Sequence, residues 1–351
     1  MAGHFVKQGL RGAIGCGHAD HQAPEGHMIG GIFRPSLDRL ARQAVVKAIP
    51  LLPLERRRTL ERHLRGIEEF HKLHLANCVI VSFGKSGRTW LRVMLSRFYQ
   101  LRHRLPENSL IGFINLHLRN HRIPKLFFTH DNYLRDYTGN RHSKADFYEK
   151  DVILLVRHPC DVAVSQYFQW RYRMHPRKKT LNDYPEHDAT ISIFDFVFRH
   201  EAGLRKVVQF LNDWARELPR LSNLLLVRYE DIQAAPEASL RRVLAFIGHE
   251  PTEDELRDAV AFASVENMRK LEQPKFLWWT RNRLGATDKS NPDSHKVRRA
   301  KVGGFRDYFD DEQVAQIDDF IRANLLPGFG YRPDEVVSSE KGDPIRVTPT
   351  A

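Results

Sequence analysis

The chain has 351 residues, enough for one large catalytic domain with a decorated edge or for two small ones. Its 42% hydrophobic and 10% aromatic residues are those of a globular protein with a true core, and no stretch reaches the roughly 18 uninterrupted apolar residues of a membrane span. The net charge of +12, from 55 Lys and Arg against 43 Asp and Glu, favours an anionic partner: nucleic acid, an anionic membrane surface or a multiply phosphorylated small molecule.

Residues 1–33 are rich in Gly and His without sustained period and read as a flexible tail. Cys16, His18, His21 and His27 have the chemistry of metal ligands, but no apolar framework flanks them, so no metal is expected. The start of the chain lacks the apolar core of a signal peptide. Cys16, Cys78 and Cys160 are too few and too scattered for a disulfide framework. Both features point to a reducing, cytoplasmic location. Residues 34–76 form a basic amphipathic helical extension: Leu37, Leu40, Ala41, Ala44, Val45 and Ala48 recur at three and four, Pro50 and Pro53 interrupt, and a second helix carries Leu60, Leu64 and Ile67. Between Arg34 and Lys72 stand ten Lys or Arg against five Asp or Glu, a charge that suits contact with an anionic bilayer.

The catalytic core is placed over 77–330, with 331–351 as a C-terminal tail. Four apolar runs read as strands: CVIVSF from Cys78, KLFFTH from Lys125, DVILLVRH from Asp151 and NLLLVRYED from Asn223. Helices are predicted over Thr89–Gln100, Pro159–Trp170, Ile193–Leu218 and around Arg241–His249. Continuous apolar strands alternating with helices give an α/β fold, a central mainly parallel sheet flanked by helices.

Ser82 to Trp90, SFGKSGRTW, joins the first strand to the first core helix. Unpaired backbone N–H groups and the helix dipole favour an anion there, Lys85 adds a full charge, and Ser86 and Thr89 add hydroxyl donors. A nucleoside-triphosphate P-loop, G-x-x-x-x-G-K-[ST], would need its first glycine at Val79, inside the strand. The third strand ends in Arg157 rather than in a carboxylate that organises Mg²⁺. Phosphate is therefore expected to be held by cations and amides, and a P-loop kinase is disfavoured.

The loop resembles the 5′-phosphosulfate loop of the sulfotransferase superfamily, P-K-[ST]-G-[ST]-T-W, with Gly84 in place of the Pro and Arg88 in place of a hydroxyl residue. Arg157 to Ser165, RHPCDVAVS, resembles the 3′-phosphate motif R-x-P-x-D-x-x-x-S of the same family. Its Arg157 suits a bidentate fork on phosphate, and Ser165 follows two helical turns on. Val297 to Arg306 is similar to a late family loop, which implies Arg298, Arg299 and the Ala300 amide at the 3′-phosphate; Ala300 stands where the family has Gly. Tyr229 is implied near the adenine, and Val265, in SVENM, replaces an aromatic that stacks on it, which leaves more stacking to Trp90. Phe127 to His130 is similar to the family's K-T-H segment, whose His is the general base; Phe128 replaces the Lys. Phe276 to Trp279 falls where the family has a flap over the acceptor.

The resemblance thus implies a P-loop-like sulfotransferase fold and a donor, 3′-phosphoadenosine 5′-phosphosulfate (PAPS). Lys85 and His130 are implied as catalytic residues, and Lys85, Ser86, Gly87, Arg88, Thr89, Trp90, Arg157, Ser165, Tyr229, Arg298, Arg299 and Ala300 as donor-binding. The expected acceptor is a hydroxyl, carbohydrate or lipid-linked, handled at the cytoplasmic membrane face. The rival reading is a non-catalytic nucleotide- or polyanion-binding protein on the same scaffold. Nucleic acid is not expected, since no reader motif or aromatic-basic surface is evident.

Overall fold

The computed structural model describes residues 37–46, 52–272, 291–332 and 335. The tail read over 1–33, the Phe276–Trp279 stretch and most of 331–351 lie outside the described residues. Four strands, β1 (Cys78–Ser82), β2 (Leu126–Thr129), β3 (Asp151–Val156) and β4 (Asn223–Arg228), form one sheet in the order β2-β1-β3-β4. All pairs are parallel, with Val79 opposite both Phe127 and Val152.

Alternate residues of each strand feed opposite cores, which is why the strands read as unbroken apolar runs. Val79, Val81 and Leu154 pack on one face with Trp170, Leu211 and Ile317. Ile80, Ile153 and Leu155 pack on the other with Leu91, Leu244 and Leu256. The first face is covered by α5 (Pro159–Tyr172), α7 (Leu204–Ala215) and α12 (Asp311–Asn324). The second is covered by α3 (Arg88–Arg102), α9 (Pro236–Phe246) and α10 (Glu253–Phe262). Short helices α6 (Pro176–Leu181), α8 (Tyr229–Ala234) and α11 (Val265–Leu271) complete the rim.

The helix predicted over Ile193–Leu218 is two pieces. A wide π turn spans Asp195–Arg199, and α7 starts only at Leu204. Gly203 makes the break: a Cβ there would lie 2.1 Å from the Phe196 carbonyl oxygen, so the chain crosses itself where only glycine fits. The basic N-terminal segment folds as α1, residues 37–46, and α2 (Leu54–Leu75), with Pro53 as the N-cap of the second. Arg62 of α2 donates to the carbonyls of Leu181 at 2.8 Å and Asn132 at 3.0 Å. It also pairs at 2.8 Å with Asp136 of α4 (Leu134–Thr138). Helix α2 thereby forms one wall of the crevice above β1 and β2.

Candidate active site

Because the chain runs from β1 outward to β2 and then back across to β3, a crevice opens above the carboxyl ends of β1 and β3, the place where parallel sheets bind ligands. The loop after β1 turns tightly there, with Lys85 at φ +77° and Gly87 at φ +93°, both left-handed. A Cβ on Gly87 would meet the Tyr229 ring at 2.6 Å. Only glycine satisfies both the dihedral and the approach, and α3 then starts with its N–H groups toward the crevice.

A cavity of about 1200 Å³ fills the crevice, lined by every site residue named from the sequence except Ser86, which is buried outside the lining. Lys85 is pushed down to about 7, first by withdrawal from water and then by the guanidinium groups of Arg173, Arg157 and Arg298. Arg157 reaches from the end of β3 to the Lys85 carbonyl at 3.3 Å and the Lys301 carbonyl at 3.1 Å, over the Tyr229 ring at 4.3 Å. Trp90 donates its indole N–H to the Ala263 carbonyl at 2.9 Å and meets Tyr229 edge-on at 5.8 Å, building an aromatic corner.

The late basic loop is held from inside the fold. Asp161 accepts from the backbone N–H of Gly303 at 2.9 Å and of Phe305 at 3.0 Å. Sequence reading listed this Asp only as a letter of the Arg157–Ser165 motif; the structure gives it the task of positioning the loop. Arg298 lies 3.3 Å over the Phe168 ring and donates to Asp293 and Tyr308, while Arg299 pairs with Asp307 at 2.9 Å. Ala300 sits at φ +51°, the left-handed region that explains why glycine is favoured at that position.

Arg173 was missed. It donates to the Ser294 carbonyl at 2.6 Å and lines the cavity beside Lys85. No motif marked it: Arg173 caps the end of α5, and only the fold brings it beside Lys85.

His130 stands just past the end of β2, beside the loop after β1, and lines the same cavity. Its Nδ1 lies 2.7 Å from the Ser82 carbonyl, which only accepts, so Nδ1 carries the proton and Nε2 the lone pair. Arg88 donates to that Nε2 at 2.6 Å. Burial, and then Arg88, hold the imidazole well below its ordinary value, so it is neutral at working pH. Glu69 of α2 accepts from Thr129 at 3.2 Å and is pushed up to about 7 by burial and by Asp131.

The donor set fits a nucleotide bearing several phosphates. Among the described residues, the Nε atoms of Arg157 and Arg173 are buried without a hydrogen-bond partner, and a surplus of cations presses on Lys85. An anion seated among them answers both.

The sulfotransferase domain family matches residues 76–329. A flavonol 4′-sulfotransferase from Flaveria chlorifolia is 30% identical over 122 residues, which span 33% of this chain and 36% of that protein. An amine sulfotransferase from Oryctolagus cuniculus is 23% identical over 258 residues, 70% of this chain and 79% of that protein. Among solved structures, a mouse sulfotransferase complexed with PAP is similar at 21% identity and a TM-score of 0.48, covering 71% of this chain and 83% of that one.

Proposed function

The chain belongs to the sulfotransferase domain family, and we infer that it transfers the sulfuryl group of PAPS to the hydroxyl of a carbohydrate or lipid-linked acceptor. The observation that supports this reading most is that one cavity holds both kinds of group the transfer needs. Lys85, Arg157, Arg173 and Arg298 gather in it, and a neutral imidazole whose Nε2 carries the lone pair lines it as well.

PAPS supplies the sulfuryl group and a phosphate leaving group. Arg157, Ser165, Arg298, Arg299 and the Ala300 amide hold its 3′-phosphate, while Trp90 and Tyr229 flank the base. Lys85, the Thr89 hydroxyl and the amides of Ser86, Gly87 and Arg88 seat the 5′ end. His130 accepts the acceptor's hydroxyl proton at Nε2 as the acceptor oxygen bonds to sulfur. Lys85 then faces the negative charge left on the phosphate oxygen when its bond to sulfur breaks.

Contact with an anionic bilayer belongs to the same reading. Leu37, Leu40 and Leu54 are exposed next to Arg39 and Arg56, the pairing that interfacial helices use. The cations of α2 that face inward are already engaged: Arg65 by Glu61, and Lys72 by Glu68.

Incubation with PAPS and a panel of glycans, lipids and phenols tests the function. Acceptor-dependent release of 3′-phosphoadenosine 5′-phosphate (PAP), mole for mole with sulfated product, is expected. Tight PAP binding with no transfer to any acceptor, joined to a DNA gel shift, would leave the polyanion-binding rival standing.

A further inference from the structure

The base is capped. His130 has one lone pair, and the Arg88 guanidinium occupies it at 2.6 Å. A base in that state accepts no hydroxyl proton until the donor leaves. Arg88 stays charged at any working pH, so deprotonation cannot lift the cap; the guanidinium must be drawn to a better acceptor. A neutral sugar hydroxyl is a poor competitor for it. A carboxylate, sulfate or phosphate offers two oxygens in the geometry of the guanidinium fork, and a charge-assisted bond about twice as strong as a neutral one.

The surroundings are built for such a group. Arg92, one turn along α3 from Arg88, lines the same cavity with its guanidinium 3.9 Å over the Phe128 ring. Lys178 of α6 lines it too and is one of the cations that hold His130 low. Among the described residues neither Arg92 nor Lys178 has a carboxylate within ion-pair distance. The carboxylates of this wall serve other cations: Glu61 takes Arg65 and Arg177, Glu68 takes Lys72 and Arg42, and Asp131 takes Lys144. Glu69, pushed toward neutrality, offsets little.

Resting on the sulfotransferase reading, we propose that the acceptor carries an anionic group which docks on Arg88 and Lys178 and draws Arg88 off His130, so that the bound acceptor itself frees the base. Arg88 is then both a specificity residue and a latch: acceptors without the anion meet a capped imidazole.

Matched pairs decide it: p-nitrophenyl glucuronide against the glucoside, and glucose 6-phosphate and glucose 6-sulfate against glucose. Two readouts are taken at saturating nucleotide, the affinity of each sugar for the PAP complex by calorimetry and kcat/KM with PAPS. In the wild type at least one anionic member should exceed its neutral partner by about tenfold or more in both, and the favoured pair tells carboxylate from phosphate from sulfate. Arg88→Ser should collapse the ratio toward one and raise kcat on the neutral acceptor, a change that general misfolding does not produce. Lys178→Ala, a change at an exposed position, should lower the ratio through KM. Neutral members that bind as well as the anionic ones, or a ratio untouched by Arg88→Ser, overturn the proposal. Anion-selective binding that Arg88→Ser abolishes, with no transfer to any sugar, supports the anion site on Arg88, overturns the freeing of a base by these acceptors and counts against the sulfotransferase reading separately.

Discussion

Lys85 makes the donor's affinity depend on pH in a way that calorimetry can read. In the free protein its ammonium is pushed down to about 7 by burial and by Arg173, Arg157 and Arg298. A polyanion seated among these groups restores it toward the ordinary value of about 10.5. The sign follows from that difference. The protonated form binds, binding above pH 7 takes up a proton, and affinity falls as pH rises through the free-protein value. The apparent Kd then scales as 1 + 10^(pH − 7), about twofold above its floor at pH 7 and about 100-fold at pH 9. The expected loss across that window is roughly 50-fold, or about 2.3 kcal/mol. Phosphate monoesters lose their second proton near pH 6 and the arginines stay charged, whereas Glu69 (pushed up to about 7) and Lys206 (pushed down to about 8) line the same cavity, so the Lys85 substitution is what assigns the slope. Titration of PAP in buffers of differing ionisation enthalpy should show uptake of close to one proton at pH 8. Lys85→Met should erase both the slope and the uptake, and should also lower kcat by two or more orders of magnitude. A Kd constant within twofold from pH 7 to 9, without proton uptake, refutes the assignment of Lys85 to the donor's charge.

His130→Asn should abolish transfer while PAP affinity stays within a few fold, since the imidazole faces the acceptor side; a joint collapse of binding and activity makes it structural. Arg157→Ala should weaken PAP at least tenfold more than adenosine 5′-phosphate, and equal losses would mean that this guanidinium does not read the 3′-phosphate. Anionic vesicles should sediment the protein at low salt and release it at high salt or on replacing the exposed Arg39 and Arg56 with Glu; no sedimentation at low salt refutes bilayer contact.

The strands, the loop after β1 and the motif after β3 were legible because each is local. Apolar runs with β-branched residues mark buried parallel strands, and glycine at Gly87 marks a left-handed turn into a helix. The break at Gly203 was not legible, since the helical period runs through it and the close approach of the Phe196 and Val197 carbonyls exists only in the fold. Asp161 shows the same limit from the site's side: its two backbone partners, Gly303 and Phe305, lie more than 140 residues away. The Arg88–His130 contact goes furthest. In sequence Arg88 is one departure from a hydroxyl in a phosphate loop, and His130 is one of 18 histidines. The side chain of Arg88 reads as a donor for phosphate until β1 and β2 pair and bring the two residues face to face. On the reading proposed above, the backbone of that loop serves the donor while the side chain of Arg88, one of its two departures from the family pattern, turns to the acceptor. The departure from the family pattern therefore says more about what this protein sulfates than the letters that match.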